Sequence, residues 1–179
     1  MSAATIRPVQ SEDIPAITRI YTQAVQHGTA SFEIEPLGEA EMARRLDALI
    51  AGRFPYLVAV LDGAVAGYAY AGPYRARSAY DFTVEDSVYI APQAQRRGIG
   101  RALLDRVIVE SEARGCRQMI AVIGDSAQAA SIALHAAAGF RRVGTFDAVG
   151  FKFGRWLDSV LMQRKLGEGA TTAPSPFSR

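Results

Sequence analysis

The segment from Gln95 to Arg101 limits most strongly what this chain can fold into, because its two glycines join a strand pattern to a helix pattern. The run Asp86–Ile90 before it is typical of a strand, and an amphipathic helix follows it. Gly98 and Gly100 remove side chains where a ligand must approach the backbone. The N–H groups at the helix start carry the positive end of its dipole, and the arginines of the segment add donors that suit phosphate oxygens. The segment therefore predicts a site for a pyrophosphate, and not for a metal or a sugar.

Length and composition indicate one α/β domain. The chain has 179 residues, enough for a sizeable core, and its net charge of +2 is too small for a general affinity for nucleic acid or membranes. Cys116 is the one cysteine, so no internal disulfide can form. The first residues lack the pattern of a secretion signal, and no apolar run reaches the roughly 18 residues of a membrane span. We expect a cytoplasmic protein that binds no nucleic acid, no membrane and, since it lacks a cysteine–histidine cluster, no metal.

Hydrophobic periodicity predicts the order strand, two helices, three strands, helix, strand, helix, two strands. The clearest elements are a helix over 39–51, a hairpin at Asp62-Gly63, a central strand over 82–91 and a helix over 98–114. This order predicts an α/β fold in which helices cover both faces of a mixed sheet. Residues 1–166 are predicted to form a single domain. Residues 167–179 are predicted to form a mobile tail, because they contain few apolar groups.

Two motifs resemble those of the GCN5-related N-acetyltransferases, the GNAT superfamily. Gln95-x-x-Gly98-x-Gly100 matches the cofactor signature of that family. A second block keeps the family's spacing, with glutamine for the usual asparagine and histidine for tyrosine: Gln128-x-x-Ser131-x-x-Leu134-His135-x-x-x-Gly139-Phe140. The resemblance covers about residues 5–166 and implies a GNAT-type fold with a mixed, mostly antiparallel central sheet.

A narrower resemblance links the chain to phosphinothricin acetyltransferases, whose relatives acetylate methionine sulfoximine and methionine sulfone. It lies in three segments, Thr83–Ile90, Ala121–Gly124 and Gly150–Asp158. Histidine at position 135 is usual in this narrower group.

The resemblance implies acetyl-CoA as the co-substrate and assigns residues to it. The central strand is expected to bond the pantetheine arm as an added strand would, through the backbone of Val88, Tyr89 and Ile90. The following loop and helix start are expected to hold the pyrophosphate through Arg96, Arg97, Gly98, Ile99, Gly100 and Arg101. Gln128 and Ser131 complete the set, although glutamine in place of asparagine puts one hydrogen bond of the family in doubt.

Glu85 is the candidate catalytic base, since the matching glutamate is the proposed base in phosphinothricin acetyltransferases. A free glutamate has a pKa of about 4.3, so burial must raise it, a water must relay the proton, or the amine must arrive neutral. The alternative is a solvated glutamate or a salt-bridge partner. Strand alternation places Asp86 on the opposite face, where it could pair with an arginine.

His135 allows two interpretations. It follows Gln128 by two helical turns and could donate a proton to the departing thiolate, whose conjugate acid has a pKa of about 8.5. It could equally be a packing histidine on an alanine-rich helix.

The acceptor site is expected at the loop after the third strand, with Arg75, Ala76 and Arg77, and at the strand residues Glu85, Asp86 and Ser87. Arginine holds carboxylate and phosphinate groups through two parallel hydrogen bonds, and this loop lines the acceptor pocket in the narrower family. A solvated basic loop is the alternative.

Together these residues favour an N-acetyltransferase that moves the acetyl group of acetyl-CoA directly to the α-amine of a small amino acid or analogue, of the phosphinothricin, methionine sulfoximine or methionine sulfone type. The alternatives are a protein or peptide N-acetyltransferase and a non-catalytic acetyl-CoA sensor. The family often forms homodimers through its last strands. The residues there that could cover an interface or fill the monomer's core are Trp156, Leu157, Val160, Leu161 and Met162.

Overall fold

The structure is a computed structural model that describes residues 4–174. Its α-helices are α1 (Ile14–His27), α2 (Glu39–Ala51), α3 (Ile99–Ala113) and α4 (Ala129–Ala137). Its strands are β1 (Thr5–Pro8), β2 (Tyr56–Leu61), β3 (Ala64–Pro73), β4 (Thr83–Ile90), β5 (Gln118–Gly124), β6 (Arg141–Lys152) and β7 (Arg155–Lys165). Every strand and helix predicted from the hydrophobic periodicity is present, in the predicted order. No helix in this part of the chain is both long and apolar enough to cross a membrane.

The seven strands form one sheet in the order β1-β2-β3-β4-β5-β7-β6. Neighbouring strands in it are antiparallel except β4 and β5, which run parallel and are joined by the crossover through α3. The predicted mixed, mostly antiparallel sheet is confirmed. The β4–β5 pairing is short: it starts at Thr83–Gln118 and ends at Glu85–Ile120, so the two strands separate beyond Glu85.

Helices cover both faces of the sheet, as predicted. Tyr21 of α1 packs against Tyr89 with ring centroids 5.3 Å apart, so the odd-numbered side chains of β4 face α1 and α2. His135 of α4 bonds Asp86, and Gly100 of α3 lies beside Ile90, so the even-numbered side chains face α3 and α4. The fully buried Ile17 holds α1 on the sheet. The fully buried side chains of α3 lie at helical spacing and hold it on the other face: Leu103, Leu104 and Val107.

The last two strands are longer than predicted. The sequence indicated strands over 140–146 and 156–162, whereas β6 and β7 together form a hairpin from Arg141 to Lys165. The turn lies at Phe153-Gly154, with φ of 52° and 72°. Two positive φ values are typical of a two-residue hairpin turn, but phenylalanine rarely occupies the first position, so the turn signal in the sequence is weak.

Some of the residues considered for a dimer interface are buried in the structure, and others are exposed. Leu157, Val160 and Met162 are buried in the core of the chain itself. Trp156 instead remains 64% exposed beside Phe151 on the hairpin.

Part of the predicted mobile tail is held by hydrogen bonds. The Arg117 guanidinium donates to the Glu168 carboxylate and to the Ala173 carbonyl, and Leu166 before this segment is fully buried. Residues 175–179 lie outside the described residues, and mobility of the tail stays a prediction.

Residues 28–38, the loop between α1 and α2, are fixed to the hairpin by one buried lysine. The Nζ of Lys152 donates to the Gly28 carbonyl at 3.0 Å and to the Ser31 carbonyl at 2.8 Å. Burial lowers the pKa of Lys152. The ring of Phe32 fits between Gly124 and a glycine of β6, and a Cβ on Gly124 would lie 2.8 Å from it. The Lys152 side chain and the Phe32 ring together hold this loop over the sheet.

We expect Lys152→Met to lower the free energy of unfolding by about 2 kcal/mol, because two carbonyls lose their buried donor. Urea denaturation measures this change. Lys165→Met, at an exposed position of β7, is the control and should shift stability by less than about 0.5 kcal/mol. Equal stability of wild type and Lys152→Met would contradict the anchoring role.

Candidate active site

A cleft of about 340 Å³ opens where β4 and β5 separate. Its walls are β4 beyond Glu85, the end of β5, the loop around Phe32 and one side of α4. It brings together eight of the residues singled out in the sequence: Glu85, Asp86, Ser87, Val88, Tyr89, Gln128, Ser131 and His135. We call it the cofactor cleft.

The edge of β4 that faces this cleft offers unpaired backbone groups at Val88 and Ile90. In an antiparallel pair, alternate residues direct both backbone groups to the partner strand. The Ala91 N–H donates to β3, and the Thr83 carbonyl accepts from the chain just after β3, so odd-numbered residues of β4 face β3. Tyr89 was expected to bond the pantetheine arm with the other two, but this alternation directs its backbone to β3. The edge therefore presents Val88 and Ile90 to an extended ligand.

The predicted phosphate loop starts α3. Gly98 has φ of 78°, a left-handed conformation that other residues rarely adopt, which explains the glycine there. The first helical hydrogen bond runs from Ala102 N–H to the Gly98 carbonyl. The N–H groups of Ile99, Gly100 and Arg101 precede it and have no acceptor in the helix, so they can bind phosphate oxygens.

The three arginines of this loop differ in their surroundings. Arg96 and Arg97 have exposed side chains. The Nε of Arg101 lies 2.7 Å from Oδ2 of Asp105, one turn further along α3. An anion at the helix start therefore meets two exposed guanidinium groups, for which residues 4–174 offer no carboxylate partner, and one that is paired with Asp105.

Gln128 stands at the start of α4, and its Nε2 donates to Thr29 Oγ1 at 2.9 Å. The turn before it is strained, since the buried Asp125 has φ of 75°. The Asp125 carboxylate accepts from the Ala127 N–H and pairs with Arg155 of β7. The Ala127 N–H, followed by the Arg155 side chain, lowers the pKa of Asp125.

Asp158, a residue of β7, supports the same turn with its carboxylate and its backbone carbonyl. Asp158 accepts from Ser126 Oγ, and its backbone carbonyl accepts from the Asp125 N–H at 2.8 Å. The sequence predicted no role for Arg155 or Asp158, although both lie in the segment Gly150–Asp158. Their charges on a strand next to the site were the one signal in the sequence that pointed to such a role.

Glu85 lies where the two strands separate, with its side chain directed to the α1–α2 face. Burial, followed by the neighbouring Asp86 charge, raises the pKa of Glu85 to about 7, although Arg75 opposes the shift. A carboxyl group with this pKa exchanges a proton readily near neutral pH.

Asp86 points to the other face and pairs with a histidine instead of an arginine. Its Oδ2 lies 3.0 Å from Nε2 of His135, and both side chains are buried. The Nδ1 of His135 lies 2.7 Å from the Ser131 carbonyl, which can only accept, so Nδ1 carries a hydrogen. The Nε2–Oδ2 contact therefore holds a further proton. Burial lowers the pKa of His135, but the Asp86 and Ser131 acceptors outweigh it and the net change is upward.

Both ring nitrogens of His135 are thus bonded within the protein. This geometry favours the structural interpretation of His135 over the donation of a proton to a thiolate. The ring also packs edge-on against Phe140 at 5.1 Å.

A second cleft of about 360 Å³, the acceptor cleft, joins the first at Glu85. Arg75 and Glu85 supply its charged groups, and Phe32 is shared with the cofactor cleft. The other side chains that line it are mainly apolar: Tyr74, Val122, Phe146, Val149, Ser159 and Leu161.

Arg77 and Ala76 lie apart from Glu85. With Arg75, they line a separate exposed depression on the loop after β3. Ser87 shares the face of Glu85 and lines the cofactor cleft. Of the two predicted arginines, the structure brings only Arg75 into a cleft with Glu85.

The acidic and histidine side chains of this region do not form a metal site: within residues 4–174 no three or more His, Cys, Asp or Glu side chains are placed to bind a metal ion.

Comparison with known proteins identifies what this chain is similar to. Residues 17–140 match the profile of the Acetyltransferase (GNAT) family. The chain is 54% identical over 172 residues to the phosphinothricin N-acetyltransferase of Alcaligenes faecalis, across 96% of this chain and 87% of the relative. It is 41% identical over 167 residues to the L-methionine sulfoximine/L-methionine sulfone acetyltransferase of Salmonella typhimurium, across 93% and 96% of the two chains.

Solved structures of related proteins are also similar to this chain. A phosphinothricin acetyltransferase from Sinorhizobium meliloti, crystallised in complex with AcCoA, superposes with a TM-score of 0.94 and 49% sequence identity. The match covers 97% of this chain and 94% of the other.

We expect Glu85→Gln to raise the melting temperature at pH 8 by a few degrees and to change it little at pH 4.5. Folding raises the pKa of this carboxyl group to about 7, so the folded state loses stability relative to the unfolded state as pH rises towards and through that value. Because glutamine cannot ionise, the variant does not lose this stability as pH rises. Differential scanning calorimetry at the two pH values measures it, with Glu35→Gln at an exposed position as the control. A gain of the same size at both pH values would contradict the raised pKa.

Proposed function

The chain belongs to the Acetyltransferase (GNAT) family, and we propose that it acetylates the α-amine of a small amino acid whose side chain resembles those of phosphinothricin, methionine sulfoximine or methionine sulfone. As a member of the family it is an acyltransferase that uses acetyl-CoA. The observation that carries the substrate proposal is that Glu85 lines both the cofactor cleft and the acceptor cleft, and that Arg75 stands beside it in the latter.

The residues around the cofactor cleft suit acetyl-CoA. We assign the free N–H groups of Ile99, Gly100 and Arg101 to its pyrophosphate, and the β4 edge at Val88 and Ile90 to its pantetheine arm. Bound acetyl-CoA supplies the acetyl group as a reactive thioester. The N–H of an edge residue can donate to the thioester carbonyl, a contribution of roughly 3 kcal/mol per donor in other enzymes.

We assign the base role to Glu85. An amino acid arrives mostly as an ammonium ion, and the amine must lose a proton before it can attack. With a pKa of about 7, the Glu85 carboxylate can take this proton near neutral pH. His135 and Asp86 then act as positioning residues: their bond connects α4 to β4 on the other face and keeps the Asp86 charge paired.

We assign the acceptor's carboxylate to Arg75, because a guanidinium group binds a carboxylate through two parallel hydrogen bonds. Arg75 places a cation at the acceptor cleft, where its guanidinium lies 5.0 Å from the centroid of the Tyr74 ring. A small acidic acceptor fits this charge and the limited size of the cleft better than a protein chain does.

We also propose that the protein is a cytoplasmic homodimer that needs neither nucleic acid nor a membrane. The β6–β7 hairpin carries a patch of apolar side chains that are each more than half exposed, which is unusual for a monomer's surface: Phe146, Val149, Phe151, Phe153 and Trp156. A cytoplasmic location agrees with acetyl-CoA as co-substrate and with the single, reduced Cys116.

We expect the purified protein to release coenzyme A thiol with phosphinothricin, methionine sulfoximine and methionine sulfone, and Glu85→Gln to lower kcat by about 10²–10³-fold. Calorimetry should show unchanged binding of acetyl-CoA to the variant. Glu112→Gln, exposed on α3, is the control. An unaltered kcat in Glu85→Gln would remove the base role. Turnover with peptides alone would identify a peptide acetyltransferase, and binding without turnover would identify a sensor.

We expect Trp156→Glu combined with Phe151→Glu to convert a dimer into a monomer in sedimentation equilibrium, because two charges would have to be buried at the interface. Val109→Glu changes an equally exposed apolar residue on α3 and is the control. A wild-type protein that sediments as a monomer would end the dimer proposal.

A further inference from the structure

Three clefts meet at Glu85. Besides the two described above, its side chain lines a third cleft of about 350 Å³, on the face of the sheet covered by α1 and α2. Within residues 4–174, Glu85 is the only residue common to the linings of all three. The Cα of an amino acid likewise carries three groups, an amine, a carboxylate and a side chain. With the amine at the thioester and the carboxylate at Arg75, the third cleft remains for the side chain.

This third cleft, which we call the side-chain cleft, opens beside Glu85 because the residue paired with Glu85 on β3 is Gly72. A Cβ at Gly72 would lie 3.0 Å from Cδ2 of Leu49 in α2, so a larger residue would narrow the opening. Met42, Ala48 and Leu49 form the apolar part of the helix side of the cleft, and Arg44 and Arg45 line it as well. The apolar part suits the methylene groups of an aliphatic side chain.

Tyr68 contributes the polar group that this cleft leaves unsatisfied. Its side chain is 0% exposed, and its hydroxyl has no hydrogen-bond partner among the described residues. The ring is held between Tyr56 and Tyr89, with centroid distances of 5.8 and 5.2 Å. Burial raises the pKa of Tyr68 well above its usual value, so the hydroxyl remains a donor. Buried polar groups usually have a partner, and among the described side chains that line this cleft only Tyr68 has a buried polar atom without one.

We infer that the side-chain cleft binds the side chain of the acceptor amino acid, and that the Tyr68 hydroxyl donates a hydrogen bond to an oxygen near the end of that side chain. Tyr68 is then the residue that selects sulfone, sulfoximine or phosphinate side chains over plain aliphatic ones. An aliphatic side chain would leave the hydroxyl buried and unpaired, and sites of this kind discriminate strongly against ligands that lack the matching group. The inference rests on the proposed function and adds the basis of its substrate preference.

The test compares two acceptors that differ only in the sulfone oxygens, L-methionine sulfone and L-methionine. We expect wild type to prefer the sulfone, and Tyr68→Phe to lower kcat/KM for the sulfone by about 10–100-fold while kcat/KM for methionine stays equal or rises. Ser111→Ala is the matched control, since it removes another buried hydroxyl without a partner, in α3 and away from the three clefts. It should leave the ratio of the two kcat/KM values unchanged.

Other outcomes are also informative. Equal losses for both acceptors in Tyr68→Phe, or an unchanged ratio, would overturn the inference while leaving the proposed function in place. A wild-type protein that binds acetyl-CoA but acetylates no amino acid would instead refute the proposed function, and the inference with it.

A second variant covers the case in which Tyr68→Phe does not fold. Gly72→Ala should lower kcat/KM for methionine sulfone by about tenfold relative to L-alanine, whose methyl group does not need the side-chain cleft. An unchanged ratio between these two acceptors would overturn the assignment of this cleft.

Discussion

The end of hydrogen bonding between β4 and β5 at Glu85 is the constraint on which the site depends. If the two parallel strands stayed paired, the backbone groups of Val88 and Ile90 would form hydrogen bonds with β5 and no cleft would exist. Because they separate, the same strand completes the sheet with β3 on one side and leaves backbone donors and acceptors for a ligand on the other. The separated end of β5 leads into the turn at Asp125, which two charged residues of β7 hold in place.

Two adjacent carboxyl groups at this opening, Glu85 and Asp86, lie in different surroundings. Glu85 and Asp86 follow one another on β4 and point to opposite faces. Asp86 is buried against His135 and keeps a cationic partner within reach, whereas Glu85 is half-buried and its pKa is raised by burial and by that neighbouring charge. Arg75 limits the rise, since it stabilises the ionised form. The raised pKa of Glu85 therefore follows from its position on the strand, since burial and the adjacent Asp86 charge are its main causes.

The sequence was most informative where local chemistry and periodicity agree. The glycine at 98 and the helix after it were predictable because a left-handed backbone and a helix start leave a local signature. The alternation that separates Glu85 from Asp86 was predictable for the same reason. The partner of Asp86 was not, because His135 lies 49 residues away and only the packing of α4 brings it near. The direction of the Tyr89 backbone and the roles of Arg155 and Asp158 likewise depend on strand pairing, which a single sequence does not determine.

The alternation of β4 has a consequence for how this chain can change. The backbone edge at Val88 and Ile90, the Glu85 carboxyl group and the Asp86 side chain that pairs with His135 all belong to the eight residues of β4, in which odd and even positions face opposite sides. Inserting or deleting a single residue between Thr83 and Glu85 would exchange the faces of Glu85 and Asp86 relative to the start of β4, and would turn the donors of Val88 and Ile90 towards β3. We therefore expect a single added or lost residue to be tolerated in the connecting loops more readily than in β4, because loop residues do not have to alternate between two faces.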